Sequence, residues 1–446
     1  LSPNVIVLLT DQQRWDTVGP EFTPTLDRMA RYGTQATVAL TPQPVCAPAR
    51  AALQTGRYPT TTGVYRNDRV LPESERTLAH HFDRAGYATG YIGKWHLASQ
   101  DPVPPEERGG YQSWLAANLL EFTSDAYRTV VFDDAGEPVM LPGYRSDALV
   151  DAAVRFIADH HDEPFFLFVS FLEPHHQNEV DNYPAPDGYE ERYQGRWLPP
   201  DLAALGGTAA QHLGGYLGQI KRLDEGLGRL LDALRSMDLL DDTIVAYTAD
   251  HGSHFKTRNG EYKRSCHDAS LRVPLVLRGP GFDGGGAITR PVSTIDLPPT
   301  LLQAAGLEVP QEMQGSPLRS PQAPDEVFFQ VSESEVGRGI RTSRWKYYVV
   351  ADDADGWDDP SAGSYREQAL YDLDSDPHEL VNLAGMASHA AVAAELRGRL
   401  LRRMVQAGEA EPRILAAPWA QGRQSSDTTA RATPLTPKRF GHQRPS

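Results

Sequence analysis

Two dipeptides carry groups that could hold a metal ion. Asp11-Gln12 closes the apolar run Asn4–Thr10, and Asp250-His251 follows the run at residues 243–248. Two carboxylates, an amide oxygen and an imidazole form a donor set for one divalent cation. Taken singly, either Asp also reads as a helix N-cap. Acidic groups at the ends of two such runs point instead to a shared site. The loop after Ala39 brings Cys46 and Arg50, within Pro44-Val45-Cys46-Ala47-Pro48-Ala49-Arg50. The chain has 2 cysteines, Cys46 and Cys266, too few for a disulfide framework.

The elements that must position these groups alternate in type. Strand-sized apolar runs lie at Asn4–Thr10 and at residues 87–92, 164–170, 243–248 and 274–277. Helical spacing runs through residues 77–85, 146–160, 216–237 and 293–305. This order predicts an α/β domain with a mostly parallel sheet sandwiched by helices, over residues 1–309. In open sheets of this kind, functional groups collect at the carboxyl ends of the strands. Residues 310–326, rich in Pro, Ser and Gln, read as a linker. Residues 327–406 read as a small C-terminal α+β subdomain with a short antiparallel sheet and a closing helix near residues 391–406. Residues 407–446 read as a low-complexity tail.

A net charge of -16 argues against a nucleic-acid-binding body, which needs a basic face. The longest apolar runs are too short to cross a bilayer, so no membrane partner is expected. No basic segment with an apolar core opens the chain, so the expectation leans to a cytoplasmic protein, with processing upstream of Leu1 left open.

The Cys46-Ala47-Pro48-Ala49-Arg50 core, with Thr55-Gly56 downstream, resembles the maturation signature of type I sulfatases, in the alkaline phosphatase superfamily. Further segments match that family in order. These are Gly86-Tyr87 with Gly93-Lys94-Trp95-His96, Glu173-Pro174-His175-His176, Asp250-His251-Gly252, Tyr262-Lys263, and Leu370-Tyr371-Asp372 through Leu383. The resemblance implies that a formylglycine-generating maturation enzyme oxidises Cys46 to Cα-formylglycine, whose hydrate is the nucleophile. It also implies an alkaline-phosphatase-like fold and one divalent metal on Asp11, Gln12, Asp250, His251 and position 46. Calcium comes first by family, with manganese or magnesium next. Arg50 would hold the hydrate, Lys94 and Lys263 would neutralise the sulfate, and His175 or His96 would protonate the leaving group.

Three positions depart from the family pattern. Gln12 stands where many sulfatases have a second Asp, His251 where others use Asn, and Gln54 where an apolar residue is usual. Phosphonate monoester hydrolases share the formylglycine and similar metal dipeptides, so a phosphonate monoester or phosphodiester hydrolase is the alternative activity. Arg66, Asn67, His254, Arg258, Asn259, Glu261 and His267 lie in loops beside the matched motifs. They are candidate substrate contacts, or equally solvated loop residues. Such polar loops suit a small sulfated sugar better than an aryl sulfate. The acidic body disfavours a long polyanion. The sequence leaves the oligomeric state open.

Overall fold

The computed structural model of the protein describes residues 2–418 and the short strand Gly422–Arg423. Five parallel strands form the centre of a ten-stranded sheet, in the spatial order Thr243–Ala249, Asn4–Thr10, Phe165–Ser170, Ala88–Lys94, Ser113–Ala117. Val5 lies opposite both Ile244 and Phe166, which sets the register. Leu275–Arg278 runs antiparallel beside Thr243–Ala249, and the antiparallel hairpin of Thr129–Phe132 and Pro138–Leu141 closes the far side.

The pleat sends alternate side chains to opposite faces, and both faces of the central strands are apolar. Val5, Val7 and Leu9 pack with the helices Cys46–Thr55, Leu78–Arg84 and Leu297–Ala304. Ile6 and Leu8 pack with Pro24–Tyr32, Arg145–Asp159 and the long helix Ala209–Ser236. The expected sandwich is therefore present. Among the described residues, no helix is long and apolar enough to cross a membrane.

The small domain is a five-stranded sheet closed by the helix Ala390–Gln406. Its second strand, Gly337–Thr342, escaped the sequence reading because GRGIRT has Arg and Gly where alternation needs apolar groups. The glycines are explained by packing: Gly337 and Gly339 face the rings of Tyr348 and Phe329, which leave no room for a Cβ. Two expectations need correction. Residues 310–325 contain neither helix nor strand, but Leu318 and Met313 belong to the large domain's core, so the stretch is packed chain. The tail does not begin at 407. Ala407 is buried, Glu409 pairs with buried Arg338 at 2.8 Å, and Arg413–Leu415 adds a parallel strand beside Ser364–Asp372. Residues 424–446 of the expected tail lie outside the described residues.

A buried ion cluster joins the two domains. Lys346, 0% exposed, donates to Asp268 Oδ1 at 2.6 Å and pairs with Glu379. Despite burial, Lys346, Arg341 and Arg272 hold the Asp268 carboxyl below its ordinary value, while burial pushes Glu379 up. Removing one partner of such a group strands the others. Lys346→Met is expected to cost about 3–5 kcal/mol at pH 7, measured by urea denaturation. Asp268 is depressed in the folded state, so its contribution is present above 3.8 and fades as the pH falls below it. The gap between parent and variant should therefore narrow below about pH 4.

Candidate active site

The metal dipeptides sit where neighbouring parallel strands end. Thr10 and Ala249 are in register, and the Asp250 N–H donates to the Thr10 carbonyl at 3.1 Å. The two acids leave the sheet side by side. Asp11, Cys46, Asp250 and His251 bring their ligand atoms within 4.8 Å of one another, all buried. Gln12 has a left-handed φ of 69°, and its amide nitrogen donates to Tyr183 Oη at 3.1 Å. That bond leaves Gln12 Oε1 buried with no hydrogen-bond partner. Buried acceptors left in this state require a donor or a cation.

His251 is oriented as metal-binding imidazoles are. Its Nδ1 donates to the Gly252 carbonyl at 2.9 Å. Nε2 then faces Asp11 Oδ1 at 3.4 Å, Asp250 Oδ1 at 3.6 Å and Cys46 Sγ at 3.3 Å. The donor set fits a divalent ion: two carboxylates, one amide oxygen and one imidazole nitrogen.

Cys46 opens the helix Cys46–Thr55, where the sequence pattern predicts a loop. Its first-turn N–H groups have no intrahelical acceptor; the one on Ala47 donates to Asn67 Oδ1 at 3.1 Å. Arg50 lies one turn on, and its guanidinium binds both acids. Nη2 is 3.0 Å from Asp11 Oδ2 and 3.2 Å from Asp250 Oδ2, while Nη1 donates to Ser170 Oγ at 2.6 Å and the Lys94 carbonyl at 2.9 Å. In this arrangement Arg50 fixes the acids, whereas the resemblance had placed it on the nucleophile. Gln54 is explained as well: its Oε1 accepts from buried Tyr111 Oη at 2.8 Å.

Three cations ring the acids and Cys46. Lys263 Nζ is 2.8 Å from Cys46 Sγ, 3.0 Å from His251 Nε2 and 3.4 Å from His175 Nε2. Lys94 Nζ is 2.8 Å from Asp11 Oδ2 and 3.0 Å from Glu121 Oε1. Burial lowers a lysine's pKa, but Asp11 and Glu121 outweigh it and hold Lys94 above its ordinary value. Burial raises a thiol's pKa, yet Lys263, Lys94 and His251 hold Cys46 well below 9.0. A side chain at position 46 therefore sits in a strongly anion-favouring field. Lys94 is reached because Gly93, at φ 104°, packs against the Ser170 carbonyl with no room for a Cβ.

His96 follows Lys94 with a φ of 61°, and its Nδ1 is buried without a partner. His175 Nδ1 pairs with the His176 carbonyl at 2.6 Å, which turns Nε2 toward Lys263. Most of the candidate substrate contacts belong to the frame. His254 is fully buried, its Nε2 on the Lys263 carbonyl at 2.9 Å, and burial lowers its pKa to about 3. Arg258 donates to the carbonyls of Glu379 and His378 in the small domain. His267 is buried against Tyr371 Oη, Asn259 holds the Lys263 and Arg264 carbonyls, and Glu261 pairs with Arg264. The expectation that His254, Arg258 and His267 face substrate is thus corrected: their polar groups are taken up inside the protein. Arg66 is half-buried and lies over the Trp357 ring at 4.5 Å. Glu121, Ser170 and Tyr183 were missed, since no motif marks a residue whose role is to hold another side chain.

Fold and site together define a hydrolase of the alkaline-phosphatase-like class. The Sulfatase family model matches residues 3–307, and the model for the C-terminal region of N-sulphoglucosamine sulphohydrolase matches residues 260–406. The chain belongs to the formylglycine-dependent sulfatase family. It is 30% identical over 438 residues to an ulvan-active sulfatase of Formosa agariphila, covering 91% of this chain and 82% of the relative. It is 25% identical over 492 residues to an N-acetylglucosamine-6-O-sulfatase of Bacteroides thetaiotaomicron, covering 88% and 85%. The yidJ sulfatase structure from Bacteroides fragilis superposes with a TM-score of 0.80 at 26% identity, covering 92% and 96%.

Proposed function

We propose that this sulfatase hydrolyses a sulfate ester on a small carbohydrate, with Cys46 matured to formylglycine and calcium held by Asp11, Gln12, Asp250 and His251. One observation carries the reading: Lys263, His251 and Asp11 all converge on the Cys46 side chain. A maturation enzyme acting on the Cys46 segment is the partner this requires. The sugar preference is supported by the N-acetylglucosamine-6-O-sulfatase relative. The charge of -16 opposes a long polyanion and favours a short one.

The matured residue and the ion would supply a hydrated aldehyde as nucleophile and a Lewis acid for the sulfate. The remaining steps belong to the chain's own groups. Arg50 holds Asp11 and Asp250 in place from behind. Lys94 and Lys263 approach from two sides and neutralise charge developing on the non-bridging oxygens. His175 presents Nε2 beside Lys263, where it can protonate the departing alkoxide. Near-complete burial of these groups excludes water and strengthens each charge interaction.

Maturation is read by peptide mass, since conversion of Cys46 to formylglycine removes about 18 Da, a change distinct from the ordinary oxidation ladder. Substrate class is read by assaying sulfated mono- and disaccharides, an aryl sulfate and a phosphonate monoester side by side. A sulfated sugar is expected to exceed the phosphonate in kcat/KM by at least about tenfold. Faster turnover of the phosphonate would overturn the assignment.

A further inference from the structure

One carboxylate of the small domain is bonded to both halves of the catalytic centre. Glu333 follows the strand Glu326–Val331 and is 5% exposed. Its Oε1 accepts the Asn67 backbone N–H at 2.7 Å, and its Oε2 takes the Nε–H of Arg264. Asn67 passes the link on, since its Oδ1 accepts the N–H of Ala47, next to Cys46. Arg264 adjoins Lys263, at a left-handed φ of 63°. Its carbonyl is held by Ser334 Oγ at 2.9 Å and Asn259 Nδ2 at 3.2 Å.

Two physical needs meet at this carboxylate. The first turn of the Cys46 helix has orphan N–H groups, and whichever acceptor they find fixes where the helix begins. A non-glycine residue at positive φ is strained and persists only where its surroundings hold it. Asn67 supplies the acceptor, and Glu333 orients Asn67 while clamping Arg264 in its strained conformation. The spacing between position 46 and Lys263 Nζ, 2.8 Å from Sγ, depends on both. We propose that Glu333 is a positioning residue through which the small domain sets the geometry of position 46 against Lys263. Asn67 is then an intermediate in that relay and no contact of the substrate. The kinetic part of this inference rests on the sulfate-ester reading above.

The test uses the full-length matured enzyme, with rates normalised to formylglycine content. Glu333→Ala and Asn67→Ala should each lower kcat about 10- to 100-fold, the scale of a small misplacement of reacting groups. KM should change less than about threefold, because no substrate contact is removed. The double variant should be no slower than the slower single one, as expected of a shared relay. Hydrogen–deuterium exchange over residues 44–53 reads the relay without turnover, and exchange at the helix start should quicken at least about tenfold in Glu333→Ala. Unchanged kcat with only a lower melting temperature, multiplicative single effects, or unchanged exchange would each overturn the proposal. Should Glu333→Ala fail to fold, Glu333→Gln takes its place. It keeps an acceptor for Asn67 and loses the Arg264 clamp, so a kcat reduced about fivefold or more supports the relay and a parent-like kcat overturns it. A parent enzyme inactive on every sulfate ester would sink the earlier functional reading. An active parent with unaffected variants would sink this one alone.

Discussion

Cys46→Ser and Cys46→Ala are both expected to lose steady-state sulfate release by at least about 10⁴-fold, as for removal of a covalent nucleophile. The two variants should differ in how they fail. Position 46 is 1% exposed, and serine differs from cysteine by one atom, so the pocket around it stays intact. Lys263 at 2.8 Å and His251 at 3.3 Å from the Cys46 sulfur still face the new hydroxyl. A serine oxygen can accept the sulfuryl group once and release one equivalent of alcohol. It has no second hydroxyl on the same carbon to expel sulfate, so the reaction stops as a serine sulfate ester. Rapid-mixing assays should thus show a stoichiometric burst from Cys46→Ser and none from Cys46→Ala. Sustained turnover within tenfold of the parent in either variant would remove formylglycine from the mechanism.

Much of this centre was legible from local pattern. Asn4–Thr10 is apolar on both faces of its pleat, which is how a central parallel strand reads. Asp11 and Asp250 follow such strands directly, so their convergence follows from registering Thr10 against Ala249. Other features depend on partners outside their own segment. Glu121 lies in the one-turn helix Leu120–Thr123 and matters only because Lys94 Nζ ends 3.0 Å from it. His254 looked like a polar loop residue, but the loop folds inward and uses its imidazole on the Lys263 carbonyl. Gly337–Thr342 lacks the apolar alternation of a strand, since its place in the sheet is set by rings from its neighbours. In each case the deciding contact is with a residue that the local pattern of the segment does not mark.

Asp11→Asn is expected to damage stability and activity together, and the two losses separate the roles of this carboxylate. Asp11 is 0% exposed, with Arg50 at 3.0 Å and Lys94 at 2.8 Å on the same oxygen. These cations hold its carboxyl well below the ordinary range, against burial and the Cys46 charge, both of which raise it. Its neighbour Asp250 is pushed up, by burial first and then by Asp11 itself. The substitution therefore has two opposing effects. It relieves one like-charge repulsion, and it leaves two buried cations short of a partner. The second effect wins, because Asp250 already has Arg50 at 3.2 Å to offset the repulsion, whereas Lys94 keeps only Glu121. A loss of about 3–5 kcal/mol follows, measured by chemical denaturation. Activity should fall at least about 10³-fold, because Asp11 is a proposed metal donor and also the group that seats Lys94 and Arg50. Calcium distinguishes these roles. A cation that binds only the folded state raises the melting temperature, by an amount that grows with the logarithm of its affinity. Added calcium should raise that of the parent and leave Asp11→Asn nearly unmoved. A variant as stable as the parent, and still stabilised by calcium, would show that Asp11 is neither a metal donor nor the anchor of the cation pair.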